Sequence, residues 1–358
     1  MSTPTTADRS IDRRHALGFT TGLLAAAAAM DLPANAQPGA AAKTAVTPVA
    51  RTVTDAECEQ LFKQVSNWGV WGPNDQRGTL NHIGPQEITA AAATVKLGQT
   101  VSLSRNFPTR AGIDNTSPAA HFMTQTGDNP CTADGCVVMS GDFISINVHG
   151  MAASHMDALC HMFKYGKSYN GYPAAEVTSS GAPRNNIMTN AEGVVGRGVL
   201  LDPARARGIP YYEPHQLITV ADLEAAEKAH KVTVGKGDLV MIRTGRDARA
   251  KAVPGQTELR LAGLDPQVVA WLHARKASVL GGDGVHDSFP FNQLNKSWPN
   301  PVHVCLLASA GMQLLDNLSL EPVADRCAAN NRWAFMLTLA PLRIERGTGS
   351  PLNPIAVF

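Results

Sequence analysis

Aromatic residues are scarce in this chain: Phe, Trp and Tyr together make up 6% of 358 residues. Excess charge of either sign is also missing, since 31 Lys and Arg face 30 Asp and Glu. That balance gives no indication of a basic nucleic-acid surface or an acidic solvating tail. Charged residues are only 17%, against 44% hydrophobic, a globular ratio that excludes disorder over the whole length. Beyond residue 36 no apolar run reaches the length of a membrane span, so no membrane association is expected after that point. The phosphate loop G-x-x-x-x-G-K-S/T, a convincing G-x-G-x-x-G and the nucleophile turn G-x-S-x-G are all absent. Nucleotide and serine-hydrolase chemistry therefore have no sequence support. With 31 Gly and 23 Pro, many turns and long ordered loops are expected rather than a helical bundle.

The first segment reads as a targeting signal. Arg13-Arg14 precedes a weakly apolar, uncharged run from Ala16 to Met30, and Ala34-Asn35-Ala36 supplies a small-x-small cleavage site. Paired arginines ahead of an Ala-rich core favour the twin-arginine route, and the run is too short and weak to anchor in a bilayer. Residues 1–36 are thus expected to be a signal peptide, 37–53 a flexible lead-in and 54–358 a single catalytic domain in the periplasm. Six cysteines occur. Cys131 and Cys136, around an Asp-Gly turn, are the local candidates for a disulfide, with isolated thiols as the alternative.

Periodicity gives a coarse element map. Residues 54–66 predict a helix capped by Thr54, 84–97 a second helix, 219–230 a third capped by Thr219, and 265–276 a fourth. His303–Gly311 also reads as helical. Strands are expected at 101–103, 143–148, 196–202, 238–244, 277–281 and 332–339. Apolar strands alternating with helices from about 196 to 340 indicate an α/β domain with a covered sheet.

Eleven histidines are not many, but His149, His155 and His161 crowd with Asp157 into "HGMAASHMDALCH". In an extended strand, residues two apart face one side, and His149, His155 and Asp157 share that parity. Two imidazoles and a carboxylate suit a divalent ion such as Zn²⁺ or Mn²⁺. Small residues between them leave room for water.

"SHMDALCH" resembles the His-x-Gly-Thr-His-x-Asp-x-x-x-His signature of the cyclase family, which includes bacterial kynurenine formamidase and isatin hydrolase. "NWGVWGPNDQRGTLNHI", "HMFKYGKSYNGYP", "GRGVLLD", "GDLVMIRTGR", "GGDGVHDSFP" and "LLDNLSLE" are similar to segments of its longer members. The resemblance implies a mixed-sheet swivelling β/β/α fold of the α/β class, a homodimer, and a hydrolase that cleaves an amide or cyclic amide with metal-activated water. It implies one or two divalent ions per subunit. It assigns His155, Asp157, His161, His303 and Asp316 to the metal site, with His161 and His303 as acid/base groups. The family's first motif histidine falls on Met151. His149, which keeps strand parity, is the candidate replacement, or alternatively an outer hydrogen-bond partner. Ser154 stands where the family has Thr, and Asp316 where it often has Glu, a shorter reach that bears on a second ion.

His121 and His286, in loop-like segments, together with Trp71 and Tyr172, are candidates to line a pocket for a small amide. Asp202 and Asp283, at strand ends, are weaker site candidates. Two other classes stay open: a polyketide cyclase or dehydratase, and a metal-binding protein that has lost turnover.

Overall fold

Local chemistry starts the helices where the sequence places them. Thr54 Oγ1 accepts from Glu57 N at 3.2 Å and Glu57 Oε2 accepts from Thr54 N at 2.7 Å, a capping box that opens the helix Asp55–Gln64. Thr219 and Asp222 do the same for Val220–His230. The second helix, Pro85–Ala92, is shorter than expected. Thr94 Oγ1 donates to Ala91 O at this end, a side-chain bond of the kind that competes with helical pairing.

The computed structural model describes residues 51–128, 136, 139–214 and 216–358. The leader, nearly all of the lead-in and Cys131 lie outside them. Nine strands form one sheet: β1 (Thr100–Ser102), β4 (His155–Asp157), β5 (Val194–Leu201), β7 (Leu239–Ile242), β9 (Val279–Gly282), β10 (Gln313–Asp316), β11 (Ala334–Leu339), β12 (Gly349–Pro351) and β13 (Ile355–Val357). Their order is β1-β13-β11-β5-β7-β9-β10-β4-β12. The run β5-β7-β9-β10 is parallel and the flanking pairs are antiparallel. β7 and β9 are buried at every position, as central parallel strands covered on both faces require. Helices Val220–His230 and Gln267–Ala274 lie in the connections between these strands. The result is the mixed α/β architecture expected. Among the described residues no helix is long and apolar enough to cross a membrane.

Two minor pairs complete the strands: β2 (Ala120–Gln125) with β3 (Gly141–Ser145), and β6 (Leu217–Ile218) with β8 (Gly263–Leu264). The β2–β3 ribbon corrects the strand expected at 143–148. It lies outside the main sheet and is mostly exposed, with Phe122 stacked on Phe143.

The segment expected to be one helix at 303–311 is a short helical turn, Pro301–His303, followed by a π-helical stretch, Val304–Ala310. Gly311 ends it in the left-handed region at φ 68°. The larger correction concerns the His149 motif. Only His155–Asp157 is strand, and 149–154 is irregular. Strand parity therefore aligns His155 with Asp157 but says nothing about His149.

Candidate metal centre

β4 is the structural floor of the site. It lies between β10 and β12, with Asp316 directly opposite His155 and Gly349 opposite Asp157. Directly opposed residues share a sheet face, so three donors meet on one face of two adjacent strands. His155, Asp157, His303 and Asp316 are all buried.

His303 is the last residue of the short helical turn Pro301–His303. Asp287, buried beside it, accepts from Val302 N at 2.9 Å, His303 N at 3.0 Å and His303 Nδ1 at 2.8 Å. With Nδ1 committed as a donor to Asp287, the neutral form of the ring carries its lone pair on Nε2. It lies 3.3 Å from Asp316 Oδ2 and 3.8 Å from Asp157 Oδ2. This carboxylate–histidine arrangement is what orients an imidazole toward a metal. His155 is fixed likewise, Nδ1 donating to Ala153 O at 2.9 Å, and its Nε2 lies 3.3 Å from Asp157 Oδ1.

The irregular loop delivers His149 to the same carboxylate, Nδ1 standing 2.8 Å from Asp157 Oδ1 and Nε2 2.9 Å from Thr348 Oγ1. His161 stacks on it with ring centroids 3.7 Å apart and planes 7° from parallel. Gly349 makes room: a Cβ there would lie 2.8 Å from His149 Cε1 and 2.7 Å from Met156 O. Met151 lines a cavity beside His149.

Two donor sets result, His149–His155–Asp157 and Asp157–His303–Asp316, each with its donor atoms within 4.8 Å of one another. Asp157 belongs to both. Its Oδ2, and Asp316 Oδ1, are buried without a hydrogen-bond partner. His286 Nε2 comes within 3.2 Å of Asp316 Oδ1, yet its hydrogen bond goes to Leu315 O at 3.2 Å. Leaving buried carboxylate oxygens unpaired is costly, and a divalent cation is the partner that imidazole and carboxylate donors fit.

Burial works against the charge on every group here, and the neighbours decide the outcome. At His155, burial is outweighed by Asp157 and Asp316, and the pKa is pushed up to about 9. At His303, burial is likewise overcome by Asp316 and Asp287, which hold it well above the usual imidazole range. Burial would raise the Asp157 and Asp316 carboxyls, but the surrounding imidazoles hold both below the ordinary carboxylate range. His161 is different: burial dominates and lowers it to about 4, so it is neutral at pH 7.

The other expected residues divide. His286 sits in the cluster, 6.0 Å from His303 between ring centroids. His121, Trp71 and Tyr172 are not among the residues lining the cavity beside His149. His121 is on the exposed ribbon, paired with Asp142 at 3.1 Å, because its strand never joins the main sheet. Trp71 stands edge-on to His82 at 5.2 Å, and Tyr172 packs under Arg184 at 4.9 Å. Asp202 and Asp283 are structural: Asp202 caps a helix and pairs with Arg243, while Asp283 accepts from Thr244, Gly245 and Arg246 N–H groups. Sequence reasoning did not single out Asp287 or Gly349. Asp287 adjoins His286 in "GGDGVHDSFP", but nothing local shows that its carboxylate reaches His303.

The family model Cyclase matches residues 73–286. The chain belongs to the Cyclase family. A solved structure described as a novel cyclase is 31% identical, with TM-score 0.74, covering 82% of this chain and 100% of that one. An isatin hydrolase bound to the product analogue thioisatinate shares the fold at 20% identity and TM-score 0.52, covering 77% of this chain and 99% of that one. Isatin hydrolase A from Labrenzia aggregata, bound to benzyl benzoate, does so at 21% identity and TM-score 0.50, covering 74% of this chain and 94% of that one. A search of curated proteins finds no match. Within this Cyclase member, His303 and Asp316 lie beyond the matched segment yet complete the second donor set.

Proposed function

We propose that this Cyclase-family chain is a metal-dependent hydrolase that opens an amide or cyclic amide, of the aryl-formamide, isatin-like or cyclic-imide kind. The observation that carries this is the convergence of two imidazole–carboxylate sets on Asp157, whose second oxygen is buried and unpaired. His149, His155 and Asp157, joined by His303 and Asp316, are the residues that would hold Zn²⁺ or Mn²⁺. Such an ion supplies Lewis acidity for a carbonyl and brings the pKa of water from 15.7 toward roughly 7.

The protein's own contributions follow from the geometry. Asp287 holds His303 with Nε2 toward Asp157 and Asp316. His161, neutral at pH 7, can take up a proton and return it to a leaving nitrogen. The cavity beside His149 is about 190 Å³ and includes Pro108, Ile113, Ile146, Leu259 and Phe289 in its lining. A cavity of roughly 150 Å³ accommodates benzene, so a small ring amide is of suitable size.

The test is to incubate metal-loaded protein with N-formylkynurenine, isatin and simple cyclic imides and to follow acid release. Turnover lost in Asp157→Ala supports the reading. Metal binding without turnover of any amide favours a binding protein, and ring closure or water elimination favours a cyclase or dehydratase.

We further propose that the chain is exported by the twin-arginine route and acts in the periplasm as a homodimer. Arg13→Lys with Arg14→Lys should leave precursor in the cytoplasm, and the mature N-terminus should fall near Gln37. Light scattering of the mature protein tests the dimer.

A further inference from the structure

The loop that delivers His149 has no backbone frame of its own. Among the described residues, no backbone–backbone hydrogen bond involves residues 149–153. Irregular, glycine-containing chain with unpaired backbone groups does not by itself hold an imidazole to a fraction of an ångström. Its carbonyls are instead gripped by side chains from elsewhere. Asn317 Nδ2 donates to Gly150 O at 2.7 Å and to Ala153 O at 3.2 Å. Arg246 Nη2 donates to Met151 O at 2.6 Å. The two grips are joined, Arg246 Nη1 donating to Asn317 Oδ1 at 2.7 Å.

Asn317 is fixed on its other side as well. Its carbonyl accepts from Ser154 Oγ at 2.8 Å and from Arg105 Nε at 3.0 Å, and its N–H donates to Gly284 O at 2.9 Å. It is fully buried and held at φ 55°, a left-handed conformation that Asn tolerates better than most residues. It directly follows Asp316, so the residue that grips the loop is continuous with the strand that carries a donor of the second set. Arg246 is buried too, and its Nη2 also reaches Asp114 Oδ2 at 3.1 Å, tying the 149–153 loop to a residue of the cavity wall.

We infer that Asn317 and Arg246 are positioning residues that clamp the 149–153 loop against β10 and thereby hold His149 at the metal centre. This rests on the reading of that centre as a metal site with His149 among its donors. The clamp works by removing freedom from the loop before metal arrives, so that the ordering cost is not met at binding. Its loss should therefore show as weaker metal binding and altered ligand geometry, whatever substrate the protein acts on.

The experiment measures Zn²⁺ affinity by competition with a chromophoric chelator, and the Co²⁺ absorption spectrum, for wild type, Asn317→Gly and Ser154→Ala. Asn317→Gly keeps the left-handed backbone and its carbonyl bonds and removes only the side-chain grip. Circular dichroism and thermal unfolding of the metal-free proteins report the fold separately. The expected result is a folded Asn317→Gly protein with Zn²⁺ affinity down roughly 10- to 100-fold and a changed Co²⁺ spectrum. Ser154→Ala, which loosens the same joint by one side-chain oxygen, is the milder variant. It should show a smaller loss in the same direction, and it decides the matter if Asn317→Gly does not fold. Wild-type affinity and an unchanged Co²⁺ spectrum in whichever of the two is folded overturn the clamp while leaving the metal centre standing. A wild-type protein that binds neither ion overturns both.

Discussion

His149 Nδ1 stands 2.8 Å from Asp157 Oδ1, eight residues further along the chain. The contact is made by a loop, not by a strand, whereas the family motif has its first histidine four residues before His155. Met151 occupies that motif position, and its thioether is a soft, neutral donor, poorly suited to Zn²⁺ or Mn²⁺ beside carboxylates. Metal affinity should fall sharply in His149→Ala and stay near wild type in Met151→Ala. A His149→Ala protein that still binds within about 100-fold of wild type would place His149 outside the direct donors.

Asp287 touches His303 through the ring and through the backbone at once. Asp287→Asn keeps the size but loses the charge that secures the Nδ1–H tautomer. Zn²⁺ affinity is expected to drop roughly 10- to 100-fold, with the apo-protein unfolding at a lower temperature because the same carboxylate caps two backbone N–H groups. Unchanged affinity in chelator competition removes Asp287 from the centre.

Gly349 allows the His149 ring and Met156 O to approach β12 closely. Gly349→Ala should displace His149, since Met156 is held in β4 and cannot yield. Overpacking of this kind typically costs about 1–3 kcal/mol, which urea denaturation of the apo-protein can read, and metal affinity should fall with it. Gly150→Ala is the matched control: a Cβ there meets nothing within 4 Å, so both quantities should hold.

The pH dependence follows from His155. Its pKa is raised in the fold to about 9, so protonated His155 stabilises the metal-free protein fully below its ordinary value of 6.5. That contribution is lost as pH rises through about 9. Metal binding needs the neutral imidazole and should tighten over the same interval. Below pH 4 the sign reverses in origin: Asp157 and Asp316, held low by their imidazole neighbours, lose their stabilising charge on protonation. Apo stability and Zn²⁺ affinity measured from pH 6 to 9 should move in opposite directions. Parallel movement, or a flat apo profile, contradicts the assignment.

The short-range features were readable from the chain itself. Capping pairs Thr54–Glu57 and Thr219–Asp222 sit three residues apart, and the apolar runs of β5, β7 and β9 declare a covered parallel sheet, because caps and burial patterns depend on near neighbours. His155 and Asp157 are two apart in a strand, so their shared face was legible too. The tertiary structure alone decided the rest. His149 reaches Asp157 through a loop whose course no periodicity encodes, and the strand parity invoked for it does not exist. Asp316 meets His155 because β10 pairs with β4 in one register, and Asp287 finds His303 sixteen residues further along the chain. His121 shows the converse: its sequence surroundings suited a pocket, but among the described residues its strand pairs with β3 alone and stays at the surface. Sequence spacing determines which donors a strand can present; only packing determines which of them meet.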